Sequence, residues 1–169
     1  AKDRNIIFSG GFGHHTYDNG SPPVSTESIY DIASITKVLS ITPIIMKLIS
    51  RKQLSLDQPV YHFLPDFTGG YKKNVTIRHL LTHSSGIKSY RRFFLNEEFS
   101  ERKDVLDEII SMDLEFQPGS KFAYSDLGMI ILMEIVEIVT RRSLNDMTKV
   151  WLYKPLSMNS TMYKPEKVL

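Results

Sequence analysis

The sequence has no cysteine among its 169 residues. That removes disulfides, zinc–thiolate sites and thiol nucleophiles from consideration, while leaving the redox compartment open. An excess of charge of one sign is also absent. The formal net charge is +2 and the basic residues are scattered, so neither nucleic acid nor an anionic membrane is expected as a partner. Lys72-Lys73 and Arg91-Arg92 read as solvated loop residues. Long apolar runs are missing too: Leu127 to Met133 is interrupted by Glu134, far short of a bilayer span. No basic n-region followed by an apolar h-region opens the chain at Ala1, so no export signal is read there. His14, His15, His62 and His79 show no metal-ligand spacing. Gly11-Phe12-Gly13 lacks both the further glycine and the helix of a phosphate loop, so no metal and no cofactor are expected. There is no internal repeat, low-complexity tract or heptad seam.

What is present is enough apolar material for a core, 41% of residues, and one stretch where chemistry and burial meet. Ser34-Ile35-Thr36-Lys37 is followed by Val38, Leu39, Ile41, Ile44, Ile45, Leu48 and Ile49. A hydroxyl and an amine three residues apart share one face of a helix that starts near Ser34. Serine is inert at its own pKa, and a lysine can serve as its base only if burial lowers the amine toward neutrality. Spacing alone decides nothing: Ser-x-x-Lys occurs three times, against roughly 1.4 expected by chance. Ser85-Gly86-Ile87-Lys88 has a helix-weakening glycine, and Ser100-Glu101-Arg102-Lys103 is charged all round, so only Ser34 opens onto a buried helix. The competing reading makes Ser34 an N-cap and Lys37 a snorkelling surface lysine.

Along the chain, residues 5–9 read as a short strand continued by 10–17, with a turn at Asp18-Asn19-Gly20. Ser21 to Ser28 reads as a loop. Pro43 predicts a kink or break near Ser40 to Thr42 in the Ser34 helix. Residues 52–75 read as loop with short turns, and Thr76 as the cap of a helix over Ile77 to His83 ending at Gly86. Ser100 to Met112 has helical spacing with charges opposite. Leu127 to Thr140 predicts a second buried helix, its polar edge Glu134 and Glu137, with Arg141 placed to pair with Glu137. Ser143 and Asp146 predict a capped helix to about Tyr153, ended by Pro155. The aromatic loop Tyr90, Phe93, Phe94 and Phe99 reads as a substrate-cleft lining or a loop anchor, and His83 as a hydrogen-bonded structural group.

Three segments in order, Ile32-Ala33-Ser34-Ile35-Thr36-Lys37, Arg78-His79-Leu80-Leu81-Thr82-His83-Ser84-Ser85-Gly86 and Pro118-Gly119-Ser120-Lys121-Phe122-Ala123-Tyr124-Ser125-Asp126, closely resemble the serine β-lactamase-related family. The chain is most similar to its class C β-lactamase, esterase and D-alanyl-D-alanine carboxypeptidase branch. Lys154-Pro155-Leu156-Ser157-Met158 looks like that branch's downstream turn, with Ser157 in place of glycine. The likeness runs from about Asn5 to Tyr163. It implies an α+β fold class: a β-lactamase/transpeptidase-like fold truncated at both ends, here mostly its helical part plus an N-terminal β-strand pair, with 1–169 as a single partial domain.

The resemblance further implies catalytic roles for Ser34 as acylated nucleophile, Lys37 as its proton partner and Tyr124 across the site, where nearby cations must favour phenolate for it to act as base. The Ser34 backbone N–H would supply one oxyanion donor. Asp126 would contact substrate. The family's Tyr-x-Asn is here Tyr124-Ser125-Asp126, and an ionised carboxylate accepts hydrogen bonds but cannot donate them; Asp126 as a plain N-cap stays open beside this. The implied substrates are small esters, D-alanyl peptides or β-lactams, without a cofactor. The family's Lys-Thr-Gly or His-Thr-Gly strand does not occur after Met158, so the rest of a parent chain is an expected partner and the 169 residues alone are expected to be inactive. Periplasmic or secreted localisation is implied by the resemblance alone. The alternative from a different class is a non-catalytic penicillin-binding-like binding or regulatory module.

Overall fold

Residues 1–165 are described by a computed structural model of the chain. Its contacts separate two units, Ala1–Ala33 and Ser34–Leu169. In the first unit the expected strand pair is absent: the described residues hold only isolated bridges, Lys2 with Asn5 and His14 with Pro23. Backbone bonds His15 N–H to Pro22 (3.0 Å) and Val24 N–H to Gly13 (2.9 Å) close one short loop. The turn at Asp18 forms, with Ser21 N–H donating to its carbonyl. Residues 5–9 find no paired ladder, and Ile6, Ile7 and Phe8 stand exposed. An extended segment with no neighbouring strand has nowhere to place its alternate N–H and C=O groups.

The second unit is helical. A wide π-type turn, Lys37–Ile41, leads directly into α1, Thr42–Ser50. Pro43 has no N–H to donate to the carbonyl four residues back. The backbone meets this by widening rather than breaking, with Thr42 N–H reaching Lys37 O. Helix α2, Ile77–Leu81, begins at Thr76, whose side chain accepts from His79 N–H while the His79 ring accepts from Thr76 N–H. Helix α3, Arg102–Ser111, is capped reciprocally by Glu101 and Asp104 and lies inside the expected span of Ser100 to Met112, starting two residues later. Helices α4, Asp126–Thr140, and α5, Leu144–Thr148, follow, and a second π-type turn, Lys149–Tyr153, extends α5.

Helix α4 is the centre of the core. Leu127, Ile131, Leu132, Ile135 and Val136 are buried, each worth about 1.5–3 kcal/mol relative to exposure. It packs against α2, α3, α5 and the Lys37–Ile41 turn. That last contact sets the N-terminal end of α4 beside Lys37. Glu134 and Glu137 pair with Arg102 of α3, at 2.5 and 2.6 Å, rather than with Arg141. Arg141 is the left-handed residue that ends α4, at φ 53°, a geometry that takes its backbone out of helical register.

Lys72 is 5% exposed, and its Nζ donates to Ile110 O at 2.7 Å and Ser111 O at 3.4 Å. It thereby serves carbonyls at the C-terminal end of α3 that have no partner within the helix. Lys72→Met, which keeps the stem and removes the donors, is expected to lower unfolding free energy by about 1–3 kcal/mol in urea titration. An unchanged midpoint would show that water serves those carbonyls equally well.

Candidate active site

Ser34 opens the helical segment, its carbonyl accepting Lys37 N–H at 3.0 Å. Its hydroxyl does not cap the segment. Ser34 Oγ accepts instead from Lys37 Nζ at 3.0 Å. Lys37 is not a snorkelling surface lysine either: its side chain is 16% exposed, and Nζ stands 2.7 Å from Asp126 Oδ1 and 5.0 Å from the Tyr124 ring centroid. The amine thus meets three groups: hydroxyl, carboxylate and phenol.

Tyr124 and Asp126 are delivered by two loops stitched together through the backbone. The chain leaves α2 with His83 in the left-handed region at φ 53°. From there residues 83–89 run beside 115–126, with Ala123 N–H donating to His83 O (2.8 Å), Gly119 N–H to Ser84 O (2.8 Å), Glu115 N–H to Gly86 O (2.7 Å) and Asp126 N–H to Ser89 O (2.8 Å). Ser125, 1% exposed, closes the array. Its hydroxyl donates to Lys88 O at 2.9 Å and accepts from Gly128 N–H at 3.0 Å, so Ser125 is the N-cap of α4. Asp126 is therefore not the cap: it occupies the first turn and directs its carboxylate toward Lys37. A carboxylate there also suits the helix N-terminal dipole.

The electrostatics reverse one expectation. Burial acts to lower the Lys37 pKa, but the Asp126 carboxylate and then Tyr124 outweigh it and hold the amine above its ordinary 10.5. The Lys37 nitrogen is a cation at neutral pH, not the neutral base that burial alone would make. The Tyr124 phenol moves the other way, below its ordinary 10.0, through the Lys37 ammonium first and the Ser34 hydroxyl second. The half-buried His83 ring lies tilted against Tyr124 with centroids 4.6 Å apart, and its pKa lies below the ordinary 6.5 because of burial and then the Lys37 charge.

Sequence reading singled out Ser34, Lys37, Tyr124 and Asp126, and gave His83 no part in the site. Its contact with Tyr124 depends on a left-handed φ that no residue pattern announces. Among the described residues there is no cluster of side chains able to hold a metal ion, and no helix long and apolar enough to cross a membrane. Tyr90 and Phe94 are exposed. Phe93 and Phe99 pack edge to face, and Arg91 lies over both while pairing with Glu108 of α3, which makes this pair an anchor for the aromatic loop.

The arrangement has relatives. The pattern of the Beta-lactamase family matches residues 1–168. The chain is 29% identical to the N-acetylmuramyl-L-alanine amidase of Bacillus subtilis over 97% of its own length and 41% of the relative's. It is also 29% identical to penicillin-binding protein 4* of Bacillus subtilis, over 95% of its length and 36% of the relative's. Among solved structures, the octameric penicillin-binding protein homologue from Pyrococcus abyssi superposes with a TM-score of 0.79 at 32% identity, covering 94% of this chain and 38% of that one. The chain thus spans about two fifths of the length of these relatives. A match running through nearly every residue, over a helical array that brings a serine, a lysine and a tyrosine to one place, leaves one conclusion: this chain belongs to the Beta-lactamase family.

Proposed function

We propose that residues 1–169 are one incomplete β-lactamase-like domain of a serine hydrolase, and that Ser34 is its nucleophile. The observation that carries this reading is the single Lys37 ammonium held between Ser34 Oγ, the Asp126 carboxylate and the Tyr124 ring. Ser34 Oγ adds to a substrate carbonyl carbon, and its proton passes to the Tyr124 phenolate. The tetrahedral oxyanion faces the Ser34 backbone N–H, whose position ahead of a helix favours negative charge. Collapse expels the alcohol or amine, which takes the proton back and leaves acyl-Ser34. Water repeats the sequence, freeing the acid and restoring the hydroxyl.

Asp126 shapes the substrate side. A carboxylate presents acceptors only, so it favours substrates that offer an N–H or a cation over those offering a carbonyl at that point. It also offsets the Lys37 charge that a substrate carboxylate would otherwise meet. Small esters and peptides that bring no carboxylate to this point therefore fit the site better than β-lactams or peptides that end in a free D-alanyl carboxylate. The chain's one Thr-Gly, Thr68-Gly69, follows Phe67, so the family's Lys/His-Thr-Gly segment is not among these residues. In this reading further chain supplies it as the second wall of the site, and its absence leaves the 169 residues with little turnover.

One observation favours a second reading, a non-catalytic binding module: the carboxylate holding Lys37 as a cation. Covalent labelling separates the two. Fluorophosphonate treatment of the 169-residue protein is expected to add one phosphonyl group, located on Ser34 by peptide mass spectrometry, with none added to Ser34→Ala. Modification of any other serine would leave the binding module standing, as would no labelling, under prolonged exposure, of a longer chain that carries the family's Lys/His-Thr-Gly segment.

A further inference from the structure

Among the described residues, His83 is the half-buried titratable group against Tyr124 that the proposed chemistry does not use, and its surroundings are specific. Ser125 N–H donates to its Nδ1 at 3.1 Å. A backbone N–H can only donate, so Nδ1 must be an unprotonated acceptor and the ring proton must sit on Nε2. The ring centroid lies 4.6 Å from that of Tyr124, with 36° between planes, and 6.0 Å from that of Phe122 in a T-shaped arrangement. The His83 carbonyl accepts Ala123 N–H. One residue thus grips positions 123 and 125 through hydrogen bonds and position 124 through its ring.

We propose that His83 is a positioning residue for Tyr124, a neutral imidazole that fixes where the phenol stands relative to Lys37 and Ser34. This rests on the hydrolase reading for its kinetic consequence, though not for its geometry. The charged groups facing the ring are Lys37, from the turn ahead of α1, and Asp126, from α4; Tyr124 is the third titratable neighbour. A proton added to Nδ1 would point at the Ser125 N–H, setting donor against donor, and the grip on residue 125 would open. Because the ring's pKa is depressed in the folded protein, the neutral form holds through neutral pH. The grip is lost as pH falls through that depressed value, below the ordinary 6.5.

The test uses the full 169-residue protein. Long-range proton–nitrogen NMR at pH 7.5 is expected to show His83 as the Nε2–H tautomer, with the Ser125 amide shifting on the same acid titration as the ring. His83→Asn keeps an acceptor near the Nδ1 position, tolerates the left-handed backbone and cannot titrate in this range. It is expected to label with fluorophosphonate within about threefold of the parent, with a Ser125 amide that no longer moves as the pH is lowered. His83→Ala is expected to label on the order of 10- to 100-fold more slowly, the scale of a misplaced catalytic group. An Nδ1–H tautomer, a Ser125 amide indifferent to the ring's titration, or an asparagine variant as slow as the alanine variant would each overturn the proposal. Failure of the parent to label Ser34 would fall on the hydrolase reading, while the tautomer and the Ser125 titration would still decide the role of His83.

Discussion

Tyr124→Phe is expected to slow phosphonylation of Ser34 by roughly 10²–10⁴-fold, the range over which a positioned general base acts, while leaving the unfolding midpoint almost unchanged. The second half follows from exposure: Tyr124 is 44% accessible, so its hydroxyl contributes little to folding. The first half follows from the opposed shifts at the site. Lys37 is held above its ordinary pKa and cannot accept the serine proton at neutral pH, whereas the Tyr124 phenol is drawn below its own. Below its pKa the phenolate fraction grows tenfold with each pH unit, so the parent's labelling rate is expected to climb with pH and level off short of pH 10. The phenylalanine variant should not show this rise. Intact-mass time courses across the pH range measure this directly. A variant labelled at the parental rate would transfer the base role to Lys37 and require that its amine lose its proton to a neighbour once a ligand is bound.

The sequence made much of this site legible because its parts lie in continuous segments. The Ser34–Lys37 spacing, Thr76 as a cap, the Ser143–Asp146 capping pair and the buried periodicity of residues 127–140 are all local, and local physics settles them. The widened turn before Pro43 was readable as a disturbance but not as its form. What lay out of reach depends on which distant groups meet. Arg102 takes Glu137, which Arg141 was expected to hold, together with Glu134, because α3 packs against α4 and Arg141 turns left-handed. Asp126 outweighs burial at Lys37 because the π-type turn packs beside the N-terminal end of α4. The short apolar run in residues 5–9 makes a strand only where a neighbour offers a ladder, and among the described residues none does.

Gly86→Ala is expected to damage the scaffold around the site, lowering unfolding free energy by roughly 3–5 kcal/mol. Gly86 lies at φ +83°, and a Cβ there would stand 2.2 Å from the Phe116 carbonyl oxygen. Backbone strain of this kind costs about 1–3 kcal/mol by itself. The rest comes from displacing a carbonyl in the strand of chain that Gly86 O holds through Glu115 N–H. Gly69 provides the control. It has φ +97° but open space where its Cβ would go, so Gly69→Ala is expected to show the strain alone, about 1–2 kcal/mol. The difference between the two variants in urea titration isolates the collision. Because residues 115–119 run on into Tyr124, the folded fraction of Gly86→Ala should also label Ser34 more slowly, whereas Gly69→Ala should label at the parental rate. Equal losses of stability in the two variants would mean that the 114–118 segment gives way freely, and that the paired loops do not fix the phenol's position.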